Sequence, residues 1–287
     1  MITIIIPAYN ARKHIRRALD SIKCQSILNE LEVIIVNDGD KCDYSSSVTE
    51  YRKYFEIREI RLKINHGPGY ARNIGIKYAR GEYLYFLDAD DEFFSNDALE
   101  ILYNNIDNSN FIVGKYQMEG KELHSDTYLQ GKLYKKEFID RYKIAFPNIR
   151  INEPVTFCLS CFFLSEDNYN TLENIICIYH RDIDSSITRT YDNFIKSIKL
   201  YIYAFELAYK KAKKHNRLSK TKQYLNLAFD YLASTYYEKK GKFSVESEEE
   251  YFNACRKLYL KLKKVFDLSI DQDTYTYVFI EKIKNYR

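Results

Sequence analysis

The stretch YLYFLDADDEFF, residues 83–94, runs five apolar or aromatic residues straight into Asp88, Asp90, Asp91 and Glu92. A continuous apolar run of that length reads as a strand buried on both faces, as in the interior of a parallel sheet. Carboxylates crowd its C-terminal end. Two like charges about 4 Å apart repel by roughly 1 kcal/mol in water and by more when partly buried, so such a cluster needs solvent or a neutralising cation. Asp88 and Asp90, two residues apart, can both face a divalent ion, and carboxylate oxygen is the donor that Mg²⁺ and Mn²⁺ favour. A lone DxD pair fits a solvated turn better than a metal site, so the flanking sequence decides.

Working outward, strand-like and helix-like segments alternate. ITIII (2–6) is a strand, and ARKHIRRALDSIKCQ (11–25) places Ile15, Leu19 and Ile22 on one helical face. LEVIIV (31–36) is a second strand, followed by a helix near 47–55 and a less apolar, edge-like strand EIREIRL (56–62). GYARNIGIKYAR (69–80) is a helix stopped by Gly81, and EYLYFL (82–87) is the fourth strand. Units of this length imply right-handed crossovers and an α/β fold, a mostly parallel sheet sandwiched by helices. Ligands of open α/β sheets bind at the carboxyl ends of the strands. The loops there are PAYN, NDGDKCD, NHGPGY and DADDEF, all polar or rich in Gly and Pro.

Further on, DALEILYNNI (97–106) is a helix, NFIVGKYQM (110–118) a strand, and 119–153 is less periodic. PVTFCLSCFFLS (154–165) begins with Pro at a plausible first helical position. NIICIYHRDIDSSITR (174–189) is a short strand and a loop, and from about 191 the pattern is helical. The expected organisation is an α/β domain over 1–190 and a basic helical C-terminal region over 191–287. Lys and Arg number 24 against 28 acidic residues in the first part, and 20 against 12 in the second. Solvated helix faces account for that excess; an anionic partner, either a phospholipid surface or nucleic acid, is the alternative.

The start MITIIIPAYN reads as a first strand rather than a targeting segment. The apolar stretch 155–164 is about half of the ~20 residues a bilayer span needs. Six scattered cysteines fit reduced thiols, so the expected setting is cytoplasmic, with peripheral contact at the inner membrane face open. Cys158 and Cys161 form a CxxC within an apolar helical segment, unaccompanied by a second pair, which favours buried structural thiols over a zinc site.

PAYN after the first strand, VNDGD after the second, and NHGPGYARNIGIKYARGEYLYFLDADD around the fourth occur in informative order and spacing. Together they resemble the family 2 glycosyltransferases of GT-A fold, which commonly read P-x-Y-N, V-(N/D)-D-G-S, N-x-G-x-x-x-A-R-N-x-G and G-(E/K)-Y-(I/L)-x-F-L-D-x-D-D. The resemblance is strong to about residue 115 and looser to about 190. It implies an inverting transfer from a nucleotide-diphosphate sugar, with UDP the expected nucleotide, to an acceptor hydroxyl. On it, Pro7, Ala8 and Tyr9 line the base and ribose pocket, and Asp38 hydrogen-bonds the base. Gly67 and Gly69 let backbone approach the nucleotide, and Arg72 brings positive charge. Asp88 and Ala89 sit by the ribose. Asp90, with Asp88, holds a divalent cation, Mn²⁺ or Mg²⁺, and His180 is a further candidate ligand, with Arg181 or Arg189 meeting phosphate.

Two departures stand out. Asp40 occupies the position usually held by Ser, adding charge near the donor pocket. Inverting members usually carry an acidic pair whose Asp deprotonates the acceptor; the matching stretch here is INEPVTFCL, with Glu153 kept and Pro154 in place of the Asp. Glu153 is then either the base or an acidic residue favourable to a helix N-terminus. The alternative to an enzyme is a noncatalytic partner subunit that binds the nucleotide sugar. A sugar nucleotidylyltransferase ranks below both, since PAYNARK lacks the Gly-rich phosphate loop. The acceptor, whether glycan, lipid-linked, protein or another hydroxyl, and any homo-oligomeric state are left open by these residues.

Overall fold

The computed structural model describes residues 1–41, 43–180, 191–263 and 275–286. The chain forms two compact units, Met1–Ser186 and Ile187–Arg287.

In the first unit, β1 (Ile2–Ala8), β2 (Leu31–Asn37), β3 (Glu56–Arg61) and β4 (Tyr83–Phe86) run parallel in the order β3-β2-β1-β4. They are joined by α1 (Ile15–Lys23), α2 (Ser45–Tyr51) and α3 (Pro68–Tyr78). Ile2 pairs with both Leu31 and Tyr83, so β1 is bonded on both edges, which is why ITIII is apolar without alternation. Ile4 and Ile6 share one core with Ile15, Leu19 and Ile22 of α1. Ile5 meets α3 on the other side of the sheet, where a Cβ added to Gly75 would lie 2.3 Å from Ile5 Cγ2.

The unit continues through β5 (Glu92–Phe93), α4 (Ala98–Asn105), β6 (Phe111–Met118), β7 (Lys121–Leu123), β8 (Lys132–Lys135), α5 (Lys136–Arg141), α6 (Glu153–Ser165) and β9 (Asn170–Tyr179). The sheet order is β3-β2-β1-β4-β8-β6-β9-β5, with β7 on β6. Strand β8 is antiparallel to both neighbours, β9 is parallel to β6, and β5 is antiparallel to β9. The parallel sheet expected from the alternating units is thus its first half, and a mixed half follows. The four-residue β8 begins and ends in Lys, a pattern that carries no strand signal. Helix α6 is buried on every side from Val155 to Leu164, and its Cys158 and Cys161 are buried thiols outside any disulfide.

The second unit contains α7 (Tyr191–Lys214), α8 (Thr221–Lys239), α9 (Val245–Leu262) and α10 (Tyr275–Asn285). Phe205, Phe229, Leu232, Tyr251, Phe252 and Phe279 are buried in it. Tyr251 satisfies its hydroxyl on the Leu232 carbonyl at 2.6 Å, and Tyr236 donates to Glu248 at 2.5 Å. Among its basic residues, Lys210, Lys213 and Lys214 face solvent. Among the described residues no helix is long and apolar enough to cross a membrane.

At the N-terminal edge of the sheet, fully buried Glu32 ties three strands together. It accepts from Thr3 Oγ1 at 2.6 Å, the Arg80 backbone N–H at 2.9 Å, Arg80 Nε at 2.8 Å and Arg58 Nη2 at 2.9 Å. Burial alone would raise its carboxyl, but the bonds from Thr3 and Arg80 outweigh it and hold the folded value below the ordinary glutamate range. The stabilisation is therefore complete above that range and is lost as pH falls through the lowered folded value. Glu32→Ala strands the Thr3 hydroxyl and the Arg80 N–H and is expected to cost about 2–4 kcal/mol in urea unfolding at neutral pH. The deficit relative to wild type should shrink in acid.

Candidate active site

The C-terminal ends of β1, β2 and β4 and the start of α3 gather the motif residues. Pro7 and Ala8 close β1, and Tyr9 beyond them is 51% exposed, its ring unused by the core. The Asp38 N–H donates to the Ala8 carbonyl at 2.9 Å, joining the first two loops. Asp38 is buried, and its oxygens accept the backbone N–H groups of His66 at 2.9 Å and Gly67 at 2.7 Å. Its observed partners are thus backbone: it clamps the loop that leads into α3. Gly67 has φ +96°, a conformation L side chains rarely adopt, and hands over to Pro68 in the first turn of the helix.

Asp40, the residue found where Ser is usual, has a structural assignment of its own. It accepts from the Asn10 backbone at 2.8 Å and from the Tyr44 hydroxyl at 2.7 Å, and Tyr44 in turn accepts from the Ala11 N–H at 3.1 Å. The extra carboxylate stitches the PAYN loop to the NDGD loop. Beside it, a cleft of about 420 Å³ is lined by Gly39, Asp40, Lys41, Arg61, Leu62 and Lys63. That cleft lies at the ends of β2 and β3 rather than over the carboxylates of β4.

The centre of the site is Arg72, only 4% exposed. Its Nη2 donates to Asp88 Oδ1 at 2.6 Å and its Nη1 to Glu153 Oε1 at 2.8 Å, while the guanidinium lies 5.4 Å from the Phe146 ring centroid. The adjacent Asn73 exchanges two hydrogen bonds with the Phe146 backbone, both 2.9 Å. A Cβ on Gly69 would sit 2.8 Å from Glu153 Cγ, so a glycine there lets α3 approach the start of α6. Glu153, also 4% exposed, is the first residue of α6, after Asn152 in the left-handed region. It begins a helix, and Arg72 joins it to Asp88 at the end of β4. Burial raises its carboxyl above the ordinary range, against the opposing charge of Arg72. Burial would loosen the proton of Arg72, but Asp88 and Glu153 more than offset that and keep it charged.

After β4, the Asp91 N–H donates to the Asp88 carbonyl at 3.0 Å, turning the chain. Asp88 and Asp90 are half-buried, Ala89 is buried, and Asp91 is 1% exposed. Burial first, then the charges of Asp88 and Asp90, push the Asp91 carboxyl well above its usual value. Asp91 accepts from Gln130 Nε2 at 3.0 Å and from the His180 backbone N–H at 3.0 Å. The His180 ring Nε2 lies 2.8 Å from Glu92 Oε1, so that nitrogen carries the proton and is committed to Glu92. Arg181 and Arg189 lie outside the described residues.

Among the described residues no group of three or more His, Cys, Asp or Glu side chains is arranged to hold a metal ion. Mg²⁺ and similar hard ions are commonly held by one or two carboxylates together with substrate phosphates and water. The half-buried Asp88 and Asp90, beside a third carboxyl whose ionisation they already oppose, fit that shared mode and not an all-protein cage.

Gln130, Phe146 and Asn73 are not among the residues expected from the sequence, and Asp91 is expected only as one of the crowded carboxylates. Asn73 was visible in the A-R-N motif; Gln130 and Phe146 lie in the aperiodic 119–153 segment and became site residues only through folding. Arg72→Met leaves Glu153 and Asp88 without their counter-charge and is expected to lower stability by about 3–5 kcal/mol at pH 7.5. Urea unfolding at lower pH should show a smaller loss, because burial already raises the Glu153 carboxyl and its protonation removes one stranded charge.

With this geometry in view, the model of glycosyl transferase family 2 matches residues 3–168. The poly(ribitol-phosphate) beta-N-acetylglucosaminyltransferase TarP of Staphylococcus aureus is 27% identical over 254 residues, 76% of each chain. An uncharacterized glycosyltransferase of Rickettsia felis is 34% identical over 155 residues, covering 52% of this chain and 25% of its own. Alignments to the first four curated relatives span only 21% to 50% of those proteins. In fold, S. aureus TarS 1–349, solved in complex with UDP-GlcNAc, superposes with TM-score 0.77 at 19% identity, over 99% of this chain and 89% of that one. The match over more than half its length, on the same loops that carry the carboxylates and Arg72, makes this chain a member of glycosyl transferase family 2.

Proposed function

We propose that the protein is an inverting, divalent-cation-dependent glycosyltransferase that moves a sugar from a nucleotide-diphosphate donor to an acceptor hydroxyl. The observation that carries this reading is the Arg72 bridge: one buried guanidinium joins Asp88, in the acidic turn after β4, to Glu153 at the start of α6. UDP-GlcNAc bound to TarS, and the N-acetylglucosaminyl transfer to poly(ribitol-phosphate) in the name of TarP, support UDP-N-acetylglucosamine as donor and a polyol-phosphate polymer as the first acceptor to try.

Pro7, Ala8 and the exposed ring of Tyr9 form the face against which base and ribose rest, with Asp38, Gly67 and Gly69 shaping the loop beside them. Asp88 and Ala89 face the ribose. Asp88 and Asp90 would hold Mn²⁺ or Mg²⁺ together with the donor phosphates, with His180 Nδ1 as a further ligand. A cation there would neutralise charge on the departing diphosphate. Glu153 takes the acceptor proton, its burial making it a stronger base than an exposed glutamate and Arg72 fixing its orientation. The acceptor oxygen attacks the anomeric carbon from the face opposite the diphosphate, whose C–O bond breaks, and the configuration inverts.

The same contact favours a second reading. Glu153 already accepts from Arg72 and is nearly inaccessible, and Pro154 replaces the expected acidic neighbour, which suits a donor-binding subunit without turnover. A transfer assay with UDP-N-acetylglucosamine and Mn²⁺ separates the two. Glu153→Gln is expected to lower kcat by about 100-fold or more with donor affinity retained. The wild-type rate should fall in acid through a value above the usual carboxylate range, since the base must be deprotonated. Asp90→Ala should abolish transfer; full activity of that variant in EDTA overturns the cation assignment. Donor binding without turnover in wild type selects the second reading.

A further inference from the structure

We propose that Gln130 is a positioning residue of the acidic turn, the group that, anchored on buried Asp91, sets how Asp88 presents itself to the donor diphosphate and its cation. The inference rests on the nucleotide-sugar reading of the site. Gln130 is buried, and its Nε2 lies 3.0 Å from Asp91 Oδ2 and 3.4 Å from Asp88 Oδ2. With carboxylates on both sides, only the amide NH₂ can face them, so the orientation of the amide follows from its partners. A carboxamide is suited to this place because it donates two hydrogen bonds without bringing charge. A Lys or Arg would cancel the negative potential that attracts a cation, and a Glu would add a further like charge to three crowded carboxylates.

Asp88 is thereby held from the protein side at both oxygens, Oδ1 by Arg72 and Oδ2 by Gln130. The carboxylate plane is set before any ligand arrives, and the remaining lone pairs are left for it. Asp91, buried, is held by Gln130 and the His180 N–H.

What seats Gln130 is a second buried group. Lys132, the first residue of β8, is 1% exposed, and its Nζ donates to the carbonyls of Ser125 at 2.5 Å and Tyr128 at 2.6 Å. Cys158 Sγ adds a weaker bond to the same Tyr128 carbonyl at 3.4 Å. The segment just before Gln130 is thus fastened from beneath. Gly131 turns the chain with φ +74°, and its carbonyl accepts from the Gly114 N–H at 2.8 Å, which fixes the other side of Gln130. A lysine inside a central strand, spent on two loop carbonyls, is accounted for by the residue that loop delivers.

The test is binding. UDP and UMP are titrated by calorimetry into wild type, Gln130→Ala and Gln130→Met, each with Mn²⁺ and again with EDTA, after melting temperatures confirm folding. Two variants guard against one failing to fold. The expected result is a loss of at least tenfold in UDP affinity with Mn²⁺ in both, with UMP binding within twofold of wild type. A residue that merely packs the loop would move both ligands together, so an equal loss for UMP overturns the proposal. Wild-type affinity for UDP in the variants also overturns it and leaves the nucleotide-sugar reading standing. A wild type that binds neither UDP nor UMP, nor the GDP and dTDP run beside them, overturns that reading and this inference with it.

Discussion

A guanidinium sealed from water at the junction of three segments sets the terms for the rest of the first unit. Arg72 cannot shed its charge, so burying it demands opposite charges in fixed places. Asp88 at the end of β4 and Glu153 at the start of α6 meet that demand, and the face of Phe146 covers what is left. The bridge joins segments 81 residues apart in the chain. It works only if α3 lies close to both, which is why the same helix carries Gly75 against Ile5 of β1 and Gly69 against Glu153. A charge network and two missing side chains are parts of one packing solution.

Around that bridge, carboxylates play two physically different parts. Asp38 and Asp40 are consumed by loop backbone and by Tyr44, and they give the loops after β1 and β2 their shape. Asp88, Asp90 and Asp91 crowd one turn, where Arg72 contacts Asp88 and Asp91 accepts from the neutral Gln130 amide and the His180 N–H. The first arrangement lowers local energy by satisfying N–H groups; the second gathers acidic groups at the C-terminal end of β4. Burial and partner, not residue type, separate the two roles.

The opposite edge of the sheet shows what a saturated carboxylate looks like. Glu32 takes bonds from Thr3, Arg58 and Arg80, and its carboxyl is held low. Asp91, equally buried but facing like charges, is pushed the other way. The contrast within one domain shows that partners, and not burial alone, set the direction in which a buried carboxyl shifts.

How much of this was legible beforehand follows from the range over which each signal acts. The parallel half of the sheet, α1, α3 and the acidic turn could be read directly, because periodicity and motif spacing are local properties of the chain. The backbone partners of Asp38 and Asp40 could not, since they come from segments distant in the chain. Strand β8 was hidden because its lysines carry no strand pattern, and Lys132 is tolerable there only because two carbonyls from its own loop reach its ammonium. Residue sequence alone thus determined the α/β frame and the strand-end segments in which Asp88, Asp90 and Arg72 lie. Tertiary structure alone decided that Glu153 would be tethered to Arg72, that Gln130 would reach the acidic turn, and that the sheet would turn mixed, because each depends on distant segments sharing a dielectric environment that no local pattern encodes.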